Sequence, residues 1–193
     1  MRQLIEWAGS EYSNKYAYSY RQSPLDKDVI KVTFHQFRNE VRALASEMLA
    51  MGCAGKHCAV IGKFSYEWAL MYFSALSIGA VLVRLDRDWH PEDLAETASK
   101  AKAEFLFMDE DIAEKAEIIA NKLQLAQPTV YMLAKKQERN IRTLIAFGQM
   151  KFHNNREAYF NAPIDTMAMS LLVFTSGTTG KGKGVMLSQN AIL

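Results

Sequence analysis

Four short apolar runs start near residues 58, 81, 104 and 130, each separated from the next by a helical pattern. No other feature constrains the fold of this chain as tightly. Strand and helix in strict alternation form a parallel sheet covered by helices, because a parallel partner needs a crossover of a dozen residues or more. Cys58–Ile61, Val81–Leu85, Phe105–Met108 and Val130–Leu133 are short apolar runs rather than alternating ones, as in strands buried on both faces. Between them lie a helix capped by Ser65 and ended by Gly79, a helix opened by Pro91, and a helix capped by Asp109 or Asp111 that ends near Leu123. An earlier helix follows Thr33. Phe34, Phe37, Val41, Leu44, Ala45, Met48 and Leu49 recur at three- and four-residue steps, and Gly52 is placed to stop it.

The organisation then reads in three parts. Residues 1–32 are polar, rich in Tyr and Ser and without a clean period, and predict an irregular arm packed on the body; its tyrosines are read as packing groups. Residues 33–134 hold the alternating helices and strands. Residues 135–193 begin with a charged, helical linker, continue through a short helix and a loop at Pro163, and reach a last buried strand at Ser170–Phe174. The fold class is α/β: a mostly parallel sheet with helices on both faces, ending in a strand–loop–strand.

Composition narrows the functional classes. A chain of 193 residues is one domain or a little more. With 49% hydrophobic and 11% aromatic residues it can build a core, which excludes a disordered chain. A net charge of +2 supplies no field for nucleic acid or anionic membrane. Cys53 and Cys58 are too few for a disulfide framework or a zinc site and suit a reduced, cytoplasmic setting as small buried hydrophobes. The longest uncharged run, Trp68–Val83, is too short to span a bilayer and is broken by Ser74, Ser77 and Gly79; it reads as a buried helix running into a strand. No signal peptide, transmembrane segment or basic amphipathic helix is expected. His35, His57, His90 and His153 show no metal spacing, and no metal ligands are assigned. The acids of 108–117 favour a helix N-terminus. Most of the ten methionines fall at core positions.

The chemistry concentrates in residues 175–184, TSGTTGKGKG, directly after the last strand. Glycines let backbone N–H groups approach a ligand; Thr175, Ser176, Thr178 and Thr179 add hydroxyls; Lys181 and Lys183 add charge. The combination makes an anion cradle suited to polyphosphate. Gly177, Gly182 and Lys183 also satisfy most of the Walker pattern, but Gly184 stands where that pattern needs Ser or Thr. A Walker loop would open a helix at Lys183, whereas Val185, Met186 and Leu187 read as strand, with Ser188 as the next N-cap.

VFTSGTTGKGKGVMLS resembles the phosphate-loop signature of the adenylate-forming (AMP-binding) enzymes: acyl-CoA synthetases, luciferases and peptide-synthetase adenylation domains. The resemblance extends to TFHQFRNEVRALASEMLAMG, SYEWALMYFSALSIGAVLVRLD and APIDTMAMSLLVFTSGTTG, and Tyr66 to Ala69 point to the long-chain fatty acyl-CoA synthetase branch. It implies a ligase that joins a carboxylate to the α-phosphate of ATP, releases pyrophosphate, and passes the acyl group to the thiol of coenzyme A, with Mg2+ as the nucleotide's metal. On this resemblance Thr175, Ser176, Gly177, Thr178, Thr179 and Gly180 would wrap the β- and γ-phosphates. Lys183 would be the signature lysine that neutralises them, and Lys181 a solvated one. The implied substrate is a medium or long fatty acid, with an aryl or amino acid as the alternative in the superfamily. A catalytically incomplete module that binds nucleotide or a partner chain is the alternative outside it.

Departures mark a divergent member. Gly182 replaces Pro or Ser, Gln189 replaces His, Arg84 replaces a common Pro, Phe64 replaces Asn, and Gly55-Lys56 stands where Gly-Asp is common. The chain stops at Leu193, where family members continue through the adenine and ribose contacts, the magnesium carboxylate, most of the acyl pocket and a C-terminal catalytic lysine. The expectation is therefore a fragment that does not adenylate alone, and one that self-associates through apolar surface.

Overall fold

The computed structural model describes residues 1–132, 136–175 and 183–193. In chain order the elements are α1 (Arg2–Glu11), β1 (Tyr16–Tyr20), β2 (Ile30–Thr33), α2 (Phe34–Ala50), β3 (His57–Ile61), α3 (Tyr66–Ser77), β4 (Val81–Leu85), α4 (Pro91–Lys100), β5 (Phe105–Met108), a 3-10 turn (Glu110–Lys115), α5 (Ala116–Leu123), β6 (Val130–Tyr131), α6 (Ile141–Asn154), α7 (Arg156–Phe160), β7 (Met169–Thr175), β8 (Lys183–Ser188) and α8 (Gln189–Ile192).

Six strands form one sheet in the order β6-β5-β3-β4-β7-β8. Every neighbouring pair is parallel except β7 and β8, which are antiparallel. Side chains alternate along each buried strand and feed two cores. Cys58, Val60, Leu82, Phe105 and Phe107 point into the layer of α2, α3 and α6. Ala59, Ile61, Val83, Leu106 and Met108 point into the layer of α4 and α5. Both faces are covered, so the central strands β3, β4 and β5 are apolar except at His57 and Arg84.

Local signals position the helices. Thr33 and Gln36 form a reciprocal capping box at α2. Ser65 Oγ accepts from Trp68 N at α3, Pro91 opens α4, and Ser188 Oγ accepts from Ala191 N at α8. Gly52 and Gly79 sit at φ +85° and +72°, the left-handed conformation that ends a helix cheaply only with glycine. α2 and α6 approach so closely at Gly148 that a Cβ there would collide with the carbonyl of Ala43.

Residues 1–32 depart from the expected irregular arm. They contain α1 and the antiparallel pair β1–β2. α1 is only ten residues long and buries just Ile5, Ala8 and Gly9, so its apolar side is too short to stand out in sequence. It is fastened by polar bonds instead. Arg42 pairs with Glu6 and Arg2 donates to the carbonyls of Tyr159 and Ala162. Tyr18 and Tyr20 pack against Tyr66, with ring centroids 5.2 and 5.1 Å away. Two smaller expectations also change. Asp109 precedes a 3-10 turn and makes no side-chain cap, because its carboxylate is engaged elsewhere. β6 covers Val130–Tyr131, while Leu133 lies outside the described residues. Gln189, at the position where the resemblance expects His, is fully buried. Its amide donates to Leu76 O at 2.7 Å and accepts from the amino group of Met1 at 2.8 Å, tying α8 to α3.

Candidate phosphate site

β7 enters the sheet beside β4, with Leu82 opposite Leu171 and Arg84 opposite Val173. It leaves at the carboxyl end of the parallel strands, the edge where open α/β sheets hold ligands. The chain then returns antiparallel as β8. The last pairs of this ribbon are Phe174 opposite Gly184 and Thr175 opposite Lys183. The structure thus brings Thr175 and Lys183 together by backbone register, at the two stems of the loop 176–182. Lys183 is exposed. Ser176, Gly177, Thr178, Thr179 and Gly180, expected to hold phosphate, lie outside the described residues, as do Lys181 and Gly182. Residues after the loop form a strand and not a helix, which removes the Walker alternative.

The neighbouring loops at this edge carry a charge network that sequence reading missed. Asp109, at the end of β5, accepts from Lys63 N at 2.7 Å and from the Arg87 guanidinium at 3.2 Å. Asp111 accepts from Arg87 at 3.1 Å and from Lys63 Nζ at 2.6 Å. Lys115 Nζ donates to the carbonyls of Arg87 at 2.7 Å and Trp89 at 3.0 Å. Gly62 is needed there, since a Cβ would stand 2.7 Å from Asp109 Oδ1. Burial opposes ionisation of Asp111, but the hydrogen bonds from Arg87 and Lys63 outweigh it and hold the carboxyl below its ordinary range. The hydrogen bond to Asp111 in turn holds Arg87 above its ordinary value. The available signal was Asp-Arg-Asp at 86–88 directly after a buried strand, a position that faces the same edge as the phosphate loop.

Two of the sequence's departures from the family pattern meet here. The guanidinium of Arg84 lies 4.8 Å from the ring centroid of Phe64. Trp89, between β4 and α4, meets Phe174 edge-on with centroids 6.2 Å apart. Farther along the same edge, a cavity of about 1420 Å3 opens between the β1–β2 arm and α3, lined by Tyr20, Phe64, Trp68, Tyr72 and Arg142.

The remaining candidates are structural. Cys53 and Cys58 are free thiols and fully buried, and hydrogen bonding to Cys53 together with burial pushes the Cys58 thiol up. His57 Nδ1 donates to Ala101 O at 2.6 Å. Among the described residues no three His, Cys, Asp or Glu converge as metal ligands, and no helix is long and apolar enough to cross a membrane. Among the described residues there is no carboxylate cage for a nucleotide's metal.

Known proteins bear directly on this geometry. Long-chain-fatty-acid–CoA ligase FadD15 of Mycobacterium bovis is 27% identical over 165 residues, covering 84% of this chain and 27% of that protein. The human mitochondrial medium-chain acyl-CoA ligase ACSF2 is 25% identical over 186 residues, covering 85% and 30%. This chain thus spans less than a third of the length of either relative. The A-PCP didomain of carboxylic acid reductase from Segniliparus rugosus, solved in complex with AMP, superposes with a TM-score of 0.70 at 17% identity, covering 98% of this chain and 32% of that one. The family model described as AMP-binding enzyme matches residues 5–193, and with the strand–loop–strand in place at the sheet's carboxyl edge, this chain belongs to the AMP-binding family of adenylate-forming enzymes.

Proposed function

We propose that this chain supplies the polyphosphate-binding part of an ATP-dependent acid–thiol ligase. The observation that carries the reading is the Thr175–Lys183 rung: a hydroxyl residue and a cation close an antiparallel ribbon whose connecting loop is rich in glycine and hydroxyls. In this reading Thr175 to Gly180 wrap the β- and γ-phosphates with backbone N–H and hydroxyl donors. Lys183 neutralises charge that builds as pyrophosphate leaves.

The reaction has two displacements. A carboxylate oxygen of the acid attacks the α-phosphorus of ATP, the bond to the β-phosphate bridging oxygen breaks, and pyrophosphate departs; Mg2+ bound to the nucleotide would supply further neutralisation of its charge. The thiolate of coenzyme A then attacks the acyl carbonyl and AMP leaves. This chain's residues act on the first step, as binding and charge-neutralising groups. The acid is a medium or long fatty acid, as the relatives' names suggest. We place the protein in the cytoplasm, where Cys53 and Cys58 stay reduced. In this reading the isolated chain, which spans under a third of the relatives it matches, binds ATP without forming acyl-adenylate.

The test is pyrophosphate release by the longer protein that carries this chain, with fatty, aryl and amino acids offered separately. Stimulation by fatty acids supports the reading, and stimulation by aryl or amino acids alone replaces its substrate class. Acyl-adenylate made by the 193-residue chain would overturn its inactivity.

A further inference from the structure

The loop between β4 and α4 is held from three directions. Lys115 Nζ grips the carbonyls of Arg87 and Trp89 at 2.7 and 3.0 Å. The side chain of Arg87 is anchored on Asp109 and Asp111 at 3.2 and 3.1 Å. Trp89 N closes a turn onto Asp86 O at 3.2 Å. A loop fixed this firmly presents its indole in one place, and that place is the ring of Phe174, met edge-on at 68°.

Phe174 is the residue before Thr175, and its cross-strand partner Gly184 is the residue after Lys183. A Cβ built at Gly184 would stand 3.3 Å from Phe174 Cε1 and 3.1 Å from Leu172 Cδ1. The phenyl ring therefore lies against bare backbone of β8, filling the space a side chain would take. Indole, phenyl ring and glycine backbone form a continuous stack one rung below Thr175 and Lys183. Among the described residues β8 is the edge strand of the sheet, and the end of an edge ribbon is where pairing opens most readily.

We infer that Trp89 is a positioning residue for the phosphate loop: by holding Phe174 against Gly184 it sets where Thr175 and Lys183 stand toward the phosphates. The inference rests on the reading of 175–183 as a polyphosphate site. It makes the β4–α4 loop, together with Lys115 and Arg87, a support for the stem of the neighbouring strand β7.

The experiment uses the 193-residue chain, with MgATP as the probe in calorimetric titration and hydrogen exchange read by mass spectrometry. Trp89→Ala is expected to weaken MgATP binding and speed exchange of the β8 amides by about fivefold each, the scale of one lost aromatic pair, while β5 exchange is unchanged. Trp89→Phe restores both, and Trp7→Ala, at an exposed tryptophan, alters neither. Phe174→Leu reproduces the effect from the other side of the contact, and adding Trp89→Ala to it causes no further loss. That variant carries the test if Trp89→Ala does not fold. MgATP bound equally by the parent and by both single variants overturns this inference alone. MgATP not bound by the parent chain overturns the phosphate reading and this inference with it.

Discussion

Thr175 and Lys183 face each other across the last rung of β7 and β8, so the two ends of the glycine-rich loop leave the sheet side by side. A loop closed in this way aims both stems at one point beyond the sheet's carboxyl edge. A helix after the loop would instead have supplied free N–H groups and a dipole for the phosphates. Here β8 spends its backbone groups on pairing with β7, so in the proposed reading positive charge comes from a side chain, and Lys183 is the residue assigned to supply it.

Lys183→Ala therefore removes the principal cation from the phosphate stem. Hydrogen bonds to charged groups contribute about 1.5–3 kcal/mol, so MgATP affinity is expected to fall roughly ten- to a hundredfold. Lys183→Arg keeps the charge and loses less. Calorimetry on the chain and the ATP dependence of pyrophosphate release in the longer protein check this. Unchanged affinity in Lys183→Ala would remove polyphosphate from the loop.

The buried sheet was legible because β3, β4 and β5 take part in two cores at once, which leaves apolar runs such as Phe105–Met108 that no surface strand has. The β7–β8 ribbon was legible because apolar residues, Ser170–Phe174 and Val185–Leu187, flank a glycine-rich stretch on both sides. The arm was not, because α1 and β1 are fastened by ion pairs and ring contacts to residues far along the chain, such as Glu6 to Arg42 and Tyr20 to Tyr66. The charge network was hidden for the same reason. Arg87 lies on the β4–α4 loop, while Asp109 and Asp111 lie on the segment after β5, and only the parallel topology brings the two to one edge.

Arg84 and Phe64 read as two unrelated departures in sequence, yet they touch in space. A double-mutant cycle with Phe64→Ala and Arg84→Ala is expected to show a coupling of about 0.5–1 kcal/mol in denaturant unfolding, the range for an exposed cation–π pair. Additive single effects would separate the two substitutions again.

Gly148→Ala tests the α2–α6 interface. The added methyl has no room beside the carbonyl of Ala43, and both are main-chain positions in helices that cannot shift independently. Overpacking of this kind costs about 1–3 kcal/mol, so the melting temperature of a chain this size should drop by about 4–8 °C for a loss of about 2 kcal/mol. A melt within one degree of the parent would show that the helices separate freely.

Acid should weaken the loop network through Asp111. Its folded-state pKa is lowered, so the carboxylate contributes stability above the ordinary carboxylate value of about 3.9 and loses it as pH falls through the folded value. Asp111→Asn abolishes that contribution, so the variant is less stable than the parent at pH 7 and the gap narrows as pH falls below about 4. Thermal melts across pH 3–7 give the sign, and a gap that widens on acidification would contradict it.

The exposed side of β8 gives the last test. No strand pairs with its outer edge among the described residues, and it presents Val185, 42% exposed, opposite Val173 and Met186, 71% exposed, opposite Leu172. An unprotected apolar edge strand is a template for pairing with another chain. At the concentrations of a sedimentation experiment the 193-residue chain is therefore expected to self-associate, and Val185→Lys should return it to a monomer by placing a charge in the paired strand. The same substitution leaves the α2–α3–α6 core untouched, so its unfolding transition should stay close to that of the parent. A parent chain that sediments as a monomer across a hundredfold concentration range would show that the twist and the exposed Lys183 at the start of β8 already protect the edge.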